Sequence, residues 1–331
     1  MSPFFRLFTI CVAIFAASAA CTGTLDAGSD RSHGLLPVDE RNPVVISNDG
    51  MAGNWFGEFA MLLTNGGGPP LAGIIVDASR YWPDLDSNMA GWTSMVQAAR
   101  ASGMRGIPDP FASPNQPLQR PSDSNIDTTV PNRSPGAQFI IETSRRLALS
   151  YRPLVVATGG SLTDVADAYL MDPTVADRIV VVSTLGTDPI NVGVLNGPNG
   201  YLDPWANTIV VQKLRYVQVN AFSDQATLVP ASRLADLPNN AFGIWIASKQ
   251  PQIVSVLGGD EQVSVIAAML PSFVLAVERM SQVGTVATST GDAPTLGLDP
   301  NGPVTVVTSA DAALASTRFW QLLLSPSTYG M

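Results

Sequence analysis

From residue 43 onward, short β-branched runs alternate with segments that carry apolar residues at helical spacing, and this rhythm leaves few folds open. The expected strands are Pro43 to Ser47, Leu71 to Ala78, Leu154 to Thr158, Ile179 to Ser183 and Tyr216 to Asn220. Asn54 to Leu63, Asp86 to Ala101, Gly136 to Ser150, Leu162 to Met171 and Pro204 to Gln212 have the spacing of helices. Strands that are apolar throughout need cover on both faces, and a helix follows each of them. The pattern therefore predicts a single α/β domain over residues 43–331, a doubly wound, mainly parallel sheet with helices on both faces. Ligands bind such sheets outside the carboxyl ends of the strands, so the residues just after each strand are the ones to read.

Composition limits the chemistry at those ends. The 331 residues include one histidine, His33, and two cysteines, Cys11 and Cys21. No Cys/His zinc centre can be assembled, a Ser-His-Asp unit would have to use His33, and any metal must be held by oxygen. Lys plus Arg number 18 against 27 Asp plus Glu, a net charge of −9. That sign excludes nucleic acid as the expected partner.

The amino-terminal stretch MSPFFRLFTICVAIFAASAAC has one early cation, Arg6, an apolar run from Leu7 to Ala17, and then small residues. It reads as a signal segment over residues 1–20, too short to span a membrane. Ser18-Ala19-Ala20-Cys21 is similar to a bacterial lipobox, which predicts an exported lipoprotein anchored at Cys21. Ala17-Ser18-Ala19 also fits ordinary cleavage, which would leave a periplasmic or secreted protein. Residues 21–42 are polar and aperiodic and read as a flexible tether, with His33 inside it, so the folded part is expected to work without histidine. Pro108 to Pro135 is rich in Pro, Ser, Asn and Asp and is either a lid or a disordered excursion. Gly302 to Asp311 reads as a strand and turn, with a closing helix through Phe319, Trp320 and Leu324.

Carboxylates and glycines gather after the strands. The first strand runs into Ser47-Asn48-Asp49-Gly50-Met51-Ala52-Gly53-Asn54, and the third into Thr158-Gly159-Gly160-Ser161-Leu162-Thr163-Asp164. Later come Asp172-Pro173-Thr174-Val175-Ala176-Asp177-Arg178-Ile179, Gly197-Pro198-Asn199-Gly200-Tyr201-Leu202-Asp203-Pro204, and Gly259-Asp260 before an apolar helix. In order and spacing, from about Pro43 to Leu324, these segments resemble the inosine-uridine preferring nucleoside hydrolase family. They are similar to its Asp-x-Asp-Pro-Gly-x-Asp-Asp, Thr-Gly-Gly-Leu-Thr-Asn, Asp-Pro-x-x-Ala-x-x-Ile, Glu-Phe-Asn-x-x-x-Asp-Pro and final His-Asp motifs.

The resemblance implies hydrolysis of an N-glycosidic bond in a small nucleoside or riboside by water activated at a strand-end carboxylate, through an oxocarbenium-like transition state. It implies Asp49 as general base and metal ligand, with Asn54, the Thr158 carbonyl and Asp260 as further ligands of a calcium ion. Asn199 would contact the ribose, with Asn54 also on the substrate side. Tyr81 and Trp82 are the aromatic candidates for the pocket, on stacking grounds. The departures cut into this picture: Ser47, Gly53, Asn54, Gly197 and Gly259 stand where the family has Asp, Asp, Asp, Glu and His. Calcium sites are tuned by ligand charge, so calcium binding is expected to be weak or lost. A divergent enzyme is the leading expectation, and a catalytically inactive nucleoside- or sugar-binding envelope lipoprotein on the same fold is the alternative. A homo-oligomer is left open. Asp164, Asp172 and Asp203 head helices or turns and are read as structural.

Overall fold

The computed structural model describes residues 35–50, 54–78, 82–114, 116–184, 194, 195, 197, 199–219, 228–257 and 270–331, with the backbone alone at 54–56 and 250–257. His33, Cys11 and Cys21 lie outside these residues, as do Tyr81 and Asp260.

Nine strands among the described residues form one sheet: β1 (Val44–Asn48), β2 (Leu71–Val76), β3 (Pro110–Ala112), β4 (Leu154–Thr158), β5 (Ile179–Ser183), β6 (Tyr216–Val219), β7 (Val274–Thr288), β8 (Gly291–Leu298) and β9 (Val304–Ala310). Their order is β3-β2-β1-β4-β5-β6-β9-β7-β8. All neighbours from β3 through to β9 run parallel, and β7 is antiparallel to both β9 and β8. The mainly parallel, doubly wound sheet read from the sequence is the one found.

The helices are α1 (Asn54–Asn65), α2 (Leu85–Ala101), α3 (Pro135–Leu147), α4 (Thr163–Met171), α5 (Pro204–Lys213), α6 (Ala241–Leu257) and α7 (Ala312–Leu324). Side chains alternate across each strand, which splits the core in two. Val44, Ile46, Ala157 and Val182 pack with Phe59 of α1, Trp92 of α2 and Phe319 of α7. Val45, Val156, Val181 and Tyr216 pack on the other face with Ile140 of α3, Val165 of α4 and Ile209 of α5. Phe59 to Leu63 are buried without a break, so α1 is an internal helix, its Phe, Met and Leu side chains each stabilising the fold by roughly 1.5–3 kcal/mol. Its close crossing with α2 depends on Gly57, where a Cβ would lie 2.5 Å from the Trp92 ring.

Three features depart from the pattern in the sequence. Packing begins before residue 43: Leu36 and Val38 are buried and Asn42 Nδ2 donates to the Pro153 carbonyl at 2.6 Å. The 108–135 segment, expected as a lid or a disordered excursion, contributes β3 to the sheet and buries Leu118 and Ile126. It is tied down by the Leu118 amide donating to Asp203 Oδ2 (2.9 Å), by Trp205 Nε1 donating to Thr129 Oγ1 (3.1 Å), and by an Arg120–Asp292 ion pair. The hairpin of β7 and β8 and the helix α6 were not anticipated; the hairpin's largely exposed residues lack clean two-residue alternation.

Candidate functional site

The chain adds β2 and β3 on one side of β1 and then returns with β4 on the other, so the direction of winding reverses at β1. This is the crevice where open α/β sheets bind ligands. Asp49 follows the last residue of β1 and is 5% exposed, its Oδ1 accepting the Gly50 amide at 2.7 Å. The Asn48 side chain folds back to accept the Asp49 amide at 2.8 Å. Gly159 gives that side chain room, since a Cβ there would lie 2.9 Å from Asn48 Nδ2.

Asp77 is the residue that reading along the sequence missed. It follows β2, and its amide donates to the Asn48 carbonyl at 3.1 Å, which continues the β1–β2 register and sets it beside Asp49. A Cβ built on Gly160 would lie 3.5 Å from Asp77 Oδ1 and 3.6 Å from Asp49 Cγ, so both carboxyls approach the same glycine. Asp77 is buried and its Oδ1 has no hydrogen-bond partner. Burial drives its carboxyl well above the ordinary carboxylate range; the charges of Asp49 and Asp164 push the same way, and a hydrogen bond from Ser161 opposes them.

Asp164, in the first turn of α4, accepts from Ser113 Oγ at 3.0 Å and Ser134 Oγ at 2.6 Å. Gly136 lets the start of α3 close on it, because a Cβ there would meet Asp164 Oδ2 at 2.4 Å. Asp203 caps α5 by accepting the Ala206 amide at 3.0 Å and also takes the Thr163 hydroxyl at 2.8 Å; burial raises it to about 6 despite these bonds. Asp172, although burial would raise it, is held at about 2 by hydrogen bonds from Thr174, Arg178 and Arg145. Asp203 and Asp172 thus have the structural work read for them, whereas Asp164 also adds charge beside Asp77.

Trp82 stands at the lip. Its ring lies against Gly50, where a Cβ would be 2.3 Å from the indole carbons, so the glycine after Asp49 seats the aromatic. Thr158 ends β4, and its carbonyl accepts the Thr184 amide at 3.2 Å. Asn199 Nδ2 donates to the Thr184 carbonyl at 2.9 Å, which brings Asn199 to the same end of the sheet. The fold therefore gathers Asp49, Trp82, Thr158 and Asn199 at one set of strand ends. Asn54 opens α1 and its side chain is outside the described residues, as are Tyr81 and Asp260.

As a calcium site the described donors do not fit. Among the described residues no group of three Asp, Glu, His or Cys side chains is arranged to hold a metal ion. Calcium takes six to eight oxygens, and Ser47 stands buried where the family motif has an acid, which removes one charged ligand from the described set.

No protein-family model matches the sequence, and no curated protein matches it significantly. Solved structures do. An inosine-guanosine nucleoside hydrolase is 16% identical with a TM-score of 0.63, covering 85% of this chain and 98% of that one. A purine-preferring ribonucleoside hydrolase from Gardnerella vaginalis is 15% identical with a TM-score of 0.61, covering 87% and 100%. An inosine-uridine preferring nucleoside hydrolase from Bacillus anthracis is 16% identical with a TM-score of 0.53, covering 88% and 100%. At these identities the similarity is one of backbone architecture, and the chain carries the nucleoside hydrolase fold with Asp49 at the end of its first strand.

Proposed function

We propose that the protein hydrolyses the N-glycosidic bond of a small nucleoside or riboside, with Asp49 as the base that activates water. The observation that carries this reading is the place of Asp49: a buried carboxylate at the winding reversal of a sheet whose fold is that of nucleoside hydrolases. Water oxygen bonds to the anomeric carbon as the carbon–nitrogen bond breaks; Asp49 takes the water's proton, and the departing nitrogen keeps the bonding pair and takes a proton from solvent. Trp82 offers an aromatic face to the base, and Asn199 lies at the ribose end. Calcium binding belongs to this proposal only as weak or lost, and no step depends on it.

A second reading, a binding protein without turnover, is favoured by the missing acids: Ser47 is buried with its Oγ unpartnered, and Gly197 has no side chain to offer a sugar. A chromogenic riboside assay on the wild type and Asp49→Ala separates the two. Turnover lost in Asp49→Ala supports the enzyme; binding without turnover across a broad nucleoside panel supports the alternative. Export is part of the proposal, with lipid on Cys21 as the only membrane attachment; palmitate labelling that disappears in Cys21→Ser is the expected result.

A further inference from the structure

Asn88 is a buried polar residue in the first turn of α2 that the chemistry above does not use. Its Nδ2 donates to two carbonyls, that of Asp77 at 3.0 Å and that of Trp82 at 3.0 Å. One amide group thus joins the residue after β2, beside Asp49, to the residue that carries the aromatic lip. We infer that Asn88 is a positioning residue that sets Trp82 relative to the carboxylates, and so decides how well the site accepts an aromatic leaving group. The inference rests on the nucleoside reading above and deepens it.

The Asp77 end of the bridge is held twice. The Asp77 amide is also fixed by the Asn48 carbonyl, within the β1–β2 register. Asp77 therefore stays in place without Asn88. The ring of Trp82 rests on Gly50, so a shift of the Trp82 backbone carries the ring across the residue that follows Asp49. Asn88 itself cannot drift, because its own amide donates to the Asp84 carbonyl at 3.0 Å, and Asp84 caps the helix by accepting the Ser87 amide at 3.1 Å. The tether is thus anchored in a capped helix, as a support for a binding group needs to be. Losing both of its bonds should alter binding of the aromatic part and spare the sugar part.

The test uses the whole protein with inosine as substrate and D-ribose as competing ligand, in Asn88→Asp and in the smaller, uncharged Asn88→Ser. Each variant should raise KM for inosine about tenfold, the scale of one or two lost hydrogen bonds, while kcat and the ribose inhibition constant change less than about threefold. Added to Trp82→Ala, either substitution should have no further effect on KM, since both act through the same ring. Parallel loss of inosine and ribose binding, an unchanged KM, or an additional loss in the Trp82→Ala background would each overturn the inference. A wild type that neither binds nor cleaves inosine or any other nucleoside would overturn the functional reading itself, and the inference with it.

Discussion

Asp77 sits beside Asp49 at the ends of adjacent parallel strands, its amide bonded to the Asn48 carbonyl and its carboxyl sharing the space near Gly160 with that of Asp49. Two carboxyls in such a place cannot both ionise cheaply. Asp77→Asn keeps the shape and removes the group that resists ionisation. It is expected to raise stability at neutral pH, read from urea denaturation, because the folded protein no longer has to hold that acid above its ordinary range. A drop in stability would mean that Asp77 is anionic and bonded in the folded state.

Glu58 faces an analogous penalty inside the first helix. Its carboxyl is fully buried, neither oxygen has a hydrogen-bond partner, and burial alone pushes its titration well above the ordinary value. Glu58→Met, of similar volume, should gain about 1–3 kcal/mol at pH 7, the usual cost of a buried polar group left unbonded. Thermal melts compared at pH 5 and pH 8 supply the check: the gain should be larger at pH 8, where the unfolded glutamate is fully ionised.

Asp203 gives a pH dependence with a defined window. Its folded value of about 6 lies above the ordinary 3.8, so the folded state holds its proton over a range where the unfolded chain has lost it. The associated stability is complete below about pH 4 and disappears as pH rises through 6, a difference on the order of 3 kcal/mol. Asp203→Asn should flatten this part of the stability–pH profile. It should also lower the whole curve, because the amide presents only one oxygen to donors from Leu118, Thr163 and Ala206.

Calcium supplies a test independent of turnover. With Ser47, Gly53 and Asn54 standing where the family motif has acids, calcium at about 1 mM should stabilise the protein by no more than about 0.4 kcal/mol, the linkage expected for a Kd of about 1 mM or weaker. A large rise in Tm on adding calcium would show that Asp49 and residues beyond the described set form a working site.

Much of the architecture was legible because parallel strands buried on both faces must be apolar throughout, and the runs ending at Ser47, Thr158 and Ser183 are. Asp49 could be read because a motif surrounds it. Asp77 could not: it ends an apolar run followed by no motif, and only the placement of β2 against β1 brings it to Asp49. Asn88 was hidden for another reason, since a polar residue in the first turn of a helix normally looks solvated, and here it is buried with its amide spent on the Asp77 and Trp82 carbonyls. The 108–135 segment misled because proline and asparagine imply irregular backbone, and irregular backbone can still be pinned by ion pairs and buried side chains.

Both borders of the sheet are partly blocked. β3 offers three residues and begins with a proline, which has no amide hydrogen to give. β8 contains Pro294, whose carbonyl is taken by the Leu195 amide at 3.0 Å, and Thr295 is bridged by Val194. A neighbouring strand therefore finds a proline and three residues at one border, and at the other must displace the Leu195 and Val194 contacts to reach Pro294 and Thr295. Growth of the sheet at these two places would thus cost contacts that the chain already makes with itself.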